Sequence, residues 1–229
     1  MKTQKNWGSL SEVLKAMETA GPYIVLRNYE ELDDENYFMS GHDDIDFLVT
    51  DDKKIREILD TVQDVKWRSQ DHCFVQIKNV PVKIGLRYVG DNYYDVKWEQ
   101  DMLEKRVNHG TFDIMDEENY FYSLTYHALL QKKKLSEDYD RRLSKMAKNL
   151  GIDISKGLYP TLFEYMKEKG YTVVYPKDPT VPLHYDNVPK ELLGPKTEWV
   201  FRRTFFRIKR KLVKGFAVLT GKEKLPKRK

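Results

Sequence analysis

Ser40-Gly41-His42-Asp43-Asp44-Ile45-Asp46-Phe47-Leu48-Val49 is the stretch on which the reading of this chain turns. Asp44 and Asp46 stand two residues apart and run into the apolar Phe47-Leu48-Val49, which Thr50-Asp51-Asp52 closes. Side chains alternate along a strand, so both carboxylates share one face while Ile45 points to the other. Two acids at the mouth of an otherwise buried strand repel each other. A hard divalent cation, which prefers oxygen ligands, relieves that repulsion. A polar turn leading into a core strand would be spelled the same way, so the neighbouring segments must decide.

Those neighbours carry a pattern. Gly21-Pro22 opens a strand at Tyr23-Ile24-Val25-Leu26, and Arg27-Asn28 closes it. Behind the acids, Lys53 to Val62 reads as a helix, with Ile55, Ile58, Leu59 and Val62 on one stripe. Strand, Ser-Gly turn, Asp-x-Asp strand and helix resemble the nucleotidyltransferase superfamily, the polymerase-beta-like fold. The resemblance covers the first half of the chain, and Asp44 and Asp46 carry it. It implies that these two acids hold Mg2+ against a nucleoside triphosphate and do the catalytic work. Arg27, Ser40 and Gly41 are then expected at the phosphates, with Lys83 and Arg87 as cationic helpers across the sheet.

Two departures from the family pattern stand out. The family places its Gly-Ser element earlier, on a helix, whereas Ser40-Gly41 almost adjoins the acids and Arg27-Asn28 takes the earlier position. A third carboxylate is also expected on a neighbouring strand, and Gly85 stands there. On that strand Lys83, Gly85 and Arg87 share one face and Val82, Ile84 and Leu86 the other. Asp91 and Asp95 follow in Gly90-Asp91-Asn92-Tyr93-Tyr94-Asp95. They either substitute for the missing acid or are turn chemistry.

The remaining chain fills out an α+β fold: a small mixed β-sheet nucleotidyltransferase-like core, a helical C-terminal part and a basic amphipathic tail helix. Leu10, Val13, Leu14 and Met17 form one stripe of a first helix over 9–19, with Ser9 or Ser11 as the cap. Further strands are expected at Val65–Arg68, Cys73–Ile77 and Val82–Val89, the last two joined as a hairpin through Lys78-Asn79-Val80-Pro81. Helices are expected over 94–106, 117–131, 136–149 and 159–169. A strand at Tyr171–Tyr175 and an extended, proline-rich connector over 176–189 complete the body. The helix over 117–131 is apolar all round, so it should be buried, and His127 within it reads first as a core or interface histidine. The expected divisions are a core over 1–112, a helical region over 113–196 and a tail over 197–229.

Composition fits these divisions. The 229 residues are 40% apolar and 13% aromatic, with 15 Tyr, enough for a sizeable core. Cys73 is the only cysteine, which excludes an intrachain disulfide and points to a reducing compartment. The N-terminus leads into a polar amphipathic segment instead of an apolar signal core, and no run is long enough to span a membrane. The expected location is cytoplasmic, peripheral at the inner face of the membrane.

The net charge of +4 is unevenly spread. From Val200 to Lys229 there are 12 Lys or Arg against Glu223 alone, so residues 1–199 are net acidic. Between 198 and 219, Phe201, Phe205, Ile208, Leu212, Phe216 and Leu219 recur at helical spacing, with basic residues gathered opposite. Such a helix lies on an anionic membrane or docks on the acidic body. Nucleic acid ranks last, because the acidic body opposes a broad footprint. The leading functional expectation is nucleotidyl transfer to a hydroxyl or phosphate acceptor, in the setting of surface-polysaccharide assembly. The alternative is a catalytically impaired binding or scaffold protein of the same fold, recruited to membrane by its tail.

Overall fold

A computed structural model describes residues 4–32, 44–63, 72–195, 200–206, 208–209 and 212. The strands are β1 (Asn6–Trp7), β2 (Tyr23–Val25), β3 (Ile45–Val49), β4 (Val62–Gln63), β5 (His72–Ile77), β6 (Val80–Tyr88), β7 (Val107–Asn108) and β8 (Asp113–Ile114). The helices are α1 (Leu10–Glu18), α2 (Asp52–Leu59), α3 (Val96–Glu104), α4 (Glu117–Tyr126), α5 (Glu137–Leu150) and α6 (Leu158–Lys169). The strands form one mixed sheet in the order β1-β5-β6-β3-β2-β8-β7, with β4 against β5. The coarse α+β expectation therefore holds.

Local chemistry sets the element ends. The Ser9 hydroxyl accepts from the Glu12 amide to start α1, and the Asp51 carboxylate accepts from the amides of Lys53 and Lys54 to start α2. Asp95, Asp116 and Ser136 cap α3, α4 and α5 in the same way. Gly151 and Gly170 end α5 and α6 in the left-handed conformation. The β5–β6 hairpin turns on Lys78 and Asn79 alone, both at positive φ, so Val80 and Pro81 belong to β6.

Three local expectations need correction. Val62 lies beyond the end of α2, because Asp60 turns left-handed and breaks the helix; Val62 then pairs with Phe74 as part of β4. Tyr171–Tyr175 contains no strand, only a bridge from Val173 to Leu193, since no neighbouring strand offers it a ladder. The helix over 117–131 changes winding at His127 and continues to Gln131 as a π-turn. The strand expected at Val65–Arg68 lies outside the described residues.

Alternation along β3 divides the interior into two cores. Phe47 and Val49 pack with α1 and α2 beneath the sheet, while Leu48 joins Ile24, Trp98, Tyr126 and Leu130 among the later helices above it. Each fully buried side chain of this size contributes about 1.5–3 kcal/mol. Trp98 anchors the upper layer: it stacks on Tyr171 at 5.3 Å and donates its indole N–H to Asn119 at 2.9 Å. Asp44, Asp46 and Leu48 face this upper layer. The acids thus emerge where the sheet meets the helical region.

The tail is helical over 200–206 and again at 208–209 and 212. Its apolar stripe faces solvent: Phe201, Phe205, Ile208 and Leu212 are 74, 62, 53 and 69% exposed. Arg203 donates to the Val181 carbonyl at 3.3 Å, so a basic residue of the tail touches the body. Among the described residues no helix is long and apolar enough to cross a membrane.

Candidate metal centre

Strand register assembles the site. Asp46 on β3 pairs with Gly85 on β6, and Gly85 pairs in turn with His72 on β5. Asp46 and His72 are therefore two strand spacings apart, roughly 10 Å between backbones, and both lean over the glycine. A Cβ on Gly85 would collide with Asp46 Oδ1 and come within 3.5 Å of the His72 ring. The missing side chain leaves a cradle, and ligand atoms of Asp44, Asp46 and His72 lie within 4.8 Å of one another above it.

The cradle is already polarised. His72 Nε2 lies 2.6 Å from Asp44 Oδ2, and Lys83 Nζ lies 3.3 Å from the same oxygen. The hydrogen bond to His72, with Lys83 adding, holds the Asp44 carboxyl well below the usual range despite partial burial. Asp46 forms a short ion pair with Arg27, both side chains being mostly buried. Arg27 also donates to the Tyr93 hydroxyl at 2.8 Å and meets His127 Nδ1 at 2.7 Å.

His127 is buried and sits at the start of the π-turn. Burial first, then the Arg27 charge, push its pKa well below 6.5, so the ring is neutral and able to accept from Arg27. The π-turn also brings Gln131 Oε1, an acceptor, to 2.8 Å from the same ring nitrogen, which can bond to it only as N–H and to Arg27 only through its lone pair. Gln131 also donates to the Tyr93 carbonyl at 3.2 Å. Arg27, Tyr93, His127 and Gln131 thus form a scaffold that fixes the Asp46 carboxylate.

Beside this cluster lies a cleft of about 410 Å³, lined by His72, Arg87, Tyr93, His127, Lys132 and Lys133, with Thr180 to Pro182 along one wall. Arg87 stacks on the Tyr93 ring at 4.2 Å and lies between Asp91 at 3.9 Å and Asp178 at 3.7 Å. Thr180 donates its amide and hydroxyl to Asp178 within the connector, and the ion pair of Asp178 with Arg87 ties that connector to the cleft.

The structure gathers Arg27, Asp44, Asp46 and Lys83 into one cluster and sets Arg87 in the adjoining cleft. Arg27 faces Asp46, while Ser40 and Gly41 lie outside the described residues. Asp91 and Asp95 do not join the cluster. Asp91 accepts from the Tyr93 amide at 2.7 Å, and Asp95 caps α3 and accepts from Thr172 at 2.6 Å. His72, Tyr93, Gln131, Lys132 and Lys133 are additions that sequence reasoning missed. The one available signal was His72 at alternate spacing before Phe74 and Gln76, and it needs the strand register to gain meaning.

Compared with known proteins, the chain matches no family model, no curated protein and no solved structure.

Proposed function

We propose that this chain is a nucleotidyltransferase dependent on a divalent cation, which moves a nucleoside monophosphate from a nucleoside triphosphate to a hydroxyl or phosphate acceptor. The observation that carries this reading is the convergence of Asp44, Asp46 and His72, the last of which also lines the adjoining cleft with Arg87, Tyr93, Lys132 and Lys133. Carboxylates at this separation fit a divalent cation, and the glycine cradle leaves room for one. A cation held by Asp44 and Asp46 would supply charge neutralisation for the triphosphate and its leaving pyrophosphate.

The chain's own residues divide the other tasks. Arg27, backed by Tyr93 and His127, keeps Asp46 oriented. Lys83 is close enough to Asp44 to meet an entering phosphate. Lys132 and Lys133 draw the polyphosphate toward the cleft, and the Arg87–Tyr93 stack shapes the cleft's floor. The exposed tail stripe with its basic residues suits peripheral attachment to the cytoplasmic face of an anionic membrane, at about 1 kcal/mol per Lys or Arg near the surface. An acceptor built at the membrane, such as a surface-polysaccharide precursor, fits that placement.

A second reading has its own observation. Among the described residues no third carboxylate joins the pair, which favours a catalytically impaired protein of the same fold, recruited to membrane as a binding or scaffold component. Pyrophosphate release from ATP, GTP, CTP and UTP, with Mg2+ and again with Mn2+ and with phospho-sugar or polyol-phosphate acceptors, separates the two. Release by wild type and not by Asp46→Asn supports the enzyme. Metal-dependent nucleotide binding with no release from any of the four supports the scaffold.

A further inference from the structure

The donor set at this centre is two carboxylates and one imidazole, with the imidazole where an all-oxygen site would have a third acid. At Gly85, the position expected to supply that acid, a Cβ would meet Asp46 Oδ1 and displace that carboxylate from its present place. The neighbouring strand supplies His72 instead, over the gap the glycine leaves. Its Nε2 faces Asp44 Oδ2 at 2.6 Å as a hydrogen-bond donor, so a metal bound there would take the place of the Nε2 proton, which leaves to solvent. The three side chains are only 15–29% exposed, so their approach is set by strand register and not by free rotation at the surface.

From this we infer that His72 is a metal ligand and that the centre prefers a first-row transition ion to Mg2+. Mg2+ demands oxygen donors in near-octahedral array and gives up water reluctantly. An imidazole nitrogen is a poor donor to it and a good one to transition ions. Metal selectivity would then reside in His72 while Asp44 and Asp46 provide the charge. The inference rests on the reading of Asp44 and Asp46 as metal-binding and adds the ligand that sets which metal they take.

Mn2+ is the most stringent probe, because it binds most weakly of the first-row divalent series. Full-length protein is titrated with Mn2+ by electron paramagnetic resonance, and with Mg2+ by displacement, alongside His72→Ala, His72→Asp and Asp44→Asn/Asp46→Asn. The expected result is Mn2+ binding at least tenfold tighter than Mg2+, with nitrogen hyperfine coupling from the bound ion. His72→Ala should lose the coupling and about tenfold in Mn2+ affinity. His72→Asp, which restores an all-carboxylate set, should move the preference toward Mg2+ and keeps the test open if the alanine variant folds poorly. Binding and coupling that survive in the His72 variants but vanish in the double aspartate variant would overturn the inference and leave the nucleotidyltransferase reading standing. Binding indifferent to all the substitutions would overturn both.

Discussion

Gly85 lies directly across from Asp46 in the β3–β6 ladder, and a Cβ at that glycine would strike the Asp46 carboxylate. Gly85→Ala should push that carboxylate off Arg27 and narrow the cradle shared with His72. Overpacking of this kind costs about 1–3 kcal/mol. Divalent-ion affinity should fall by about tenfold or more, measured by calorimetry alongside urea melts. An alanine variant that binds metal as wild type does would refute the cradle.

Arg27 and Asp46 form a mostly buried pair, and His127 leans on the same guanidinium. Arg27→Gln leaves Asp46 without its cation, at a cost of about 3 kcal/mol. It also removes the charge that, after burial, holds the His127 pKa below 6.5. In the variant the His127 ring signals, followed by NMR, should titrate at higher pH than in wild type. An unchanged titration would show that Arg27 does not govern the ring.

Glu99 is fully buried, its oxygens accepting from the Gly90 amide at 2.6 Å and the Tyr94 amide at 3.1 Å. Burial, then the neighbouring Asp91, raise its pKa from 4.5 to about 9. The folded protein therefore keeps a proton that the unfolded chain releases. This contribution to stability is fully present below pH 4.5 and lost as pH rises through about 9. The stability difference between wild type and Glu99→Gln should shift against wild type across that window, read from urea midpoints at each pH. A difference independent of pH would contradict the assignment.

Phe201 and Phe205 project from the tail helix into solvent. The full chain should co-sediment with phosphatidylserine vesicles and not with neutral ones. Phe201→Glu/Phe205→Glu should abolish this without moving the melting temperature, since neither side chain is buried. Vesicle binding that survives the substitutions would assign attachment to charge alone.

How much of this was legible in the sequence follows from the range of the interactions. The caps at Ser9 and Asp51, the stops at Gly151 and Gly170, and the alternation through Asp44–Val49 are local, and the residues announce them. The end of α2 at Asp60 was missed because Val62 continues the helical spacing past a break that depends on one left-handed residue. Pairing across strands was out of reach. His72 becomes a partner of Asp44 only once β5 lies beside β6 in one particular register. The same register turns Gly85 from an apparent lost acid into the space that lets Asp46 and His72 converge. The π-turn at His127–Gln131 depends on tertiary packing, and a 3.6-residue pattern gives no sign of it.

The central claim is that Asp44 and Asp46 bind a metal-nucleotide complex. Isothermal titration of ATP, GTP, CTP and UTP with Mg2+, and again with Mn2+, into wild type and Asp44→Asn/Asp46→Asn tests it most directly. At least one nucleotide should bind wild type only when a divalent ion is present, and binding should vanish in the double variant. Nucleotide binding unchanged by the two substitutions would contradict it and reduce the Asp-x-Asp to a polar entry into a core strand.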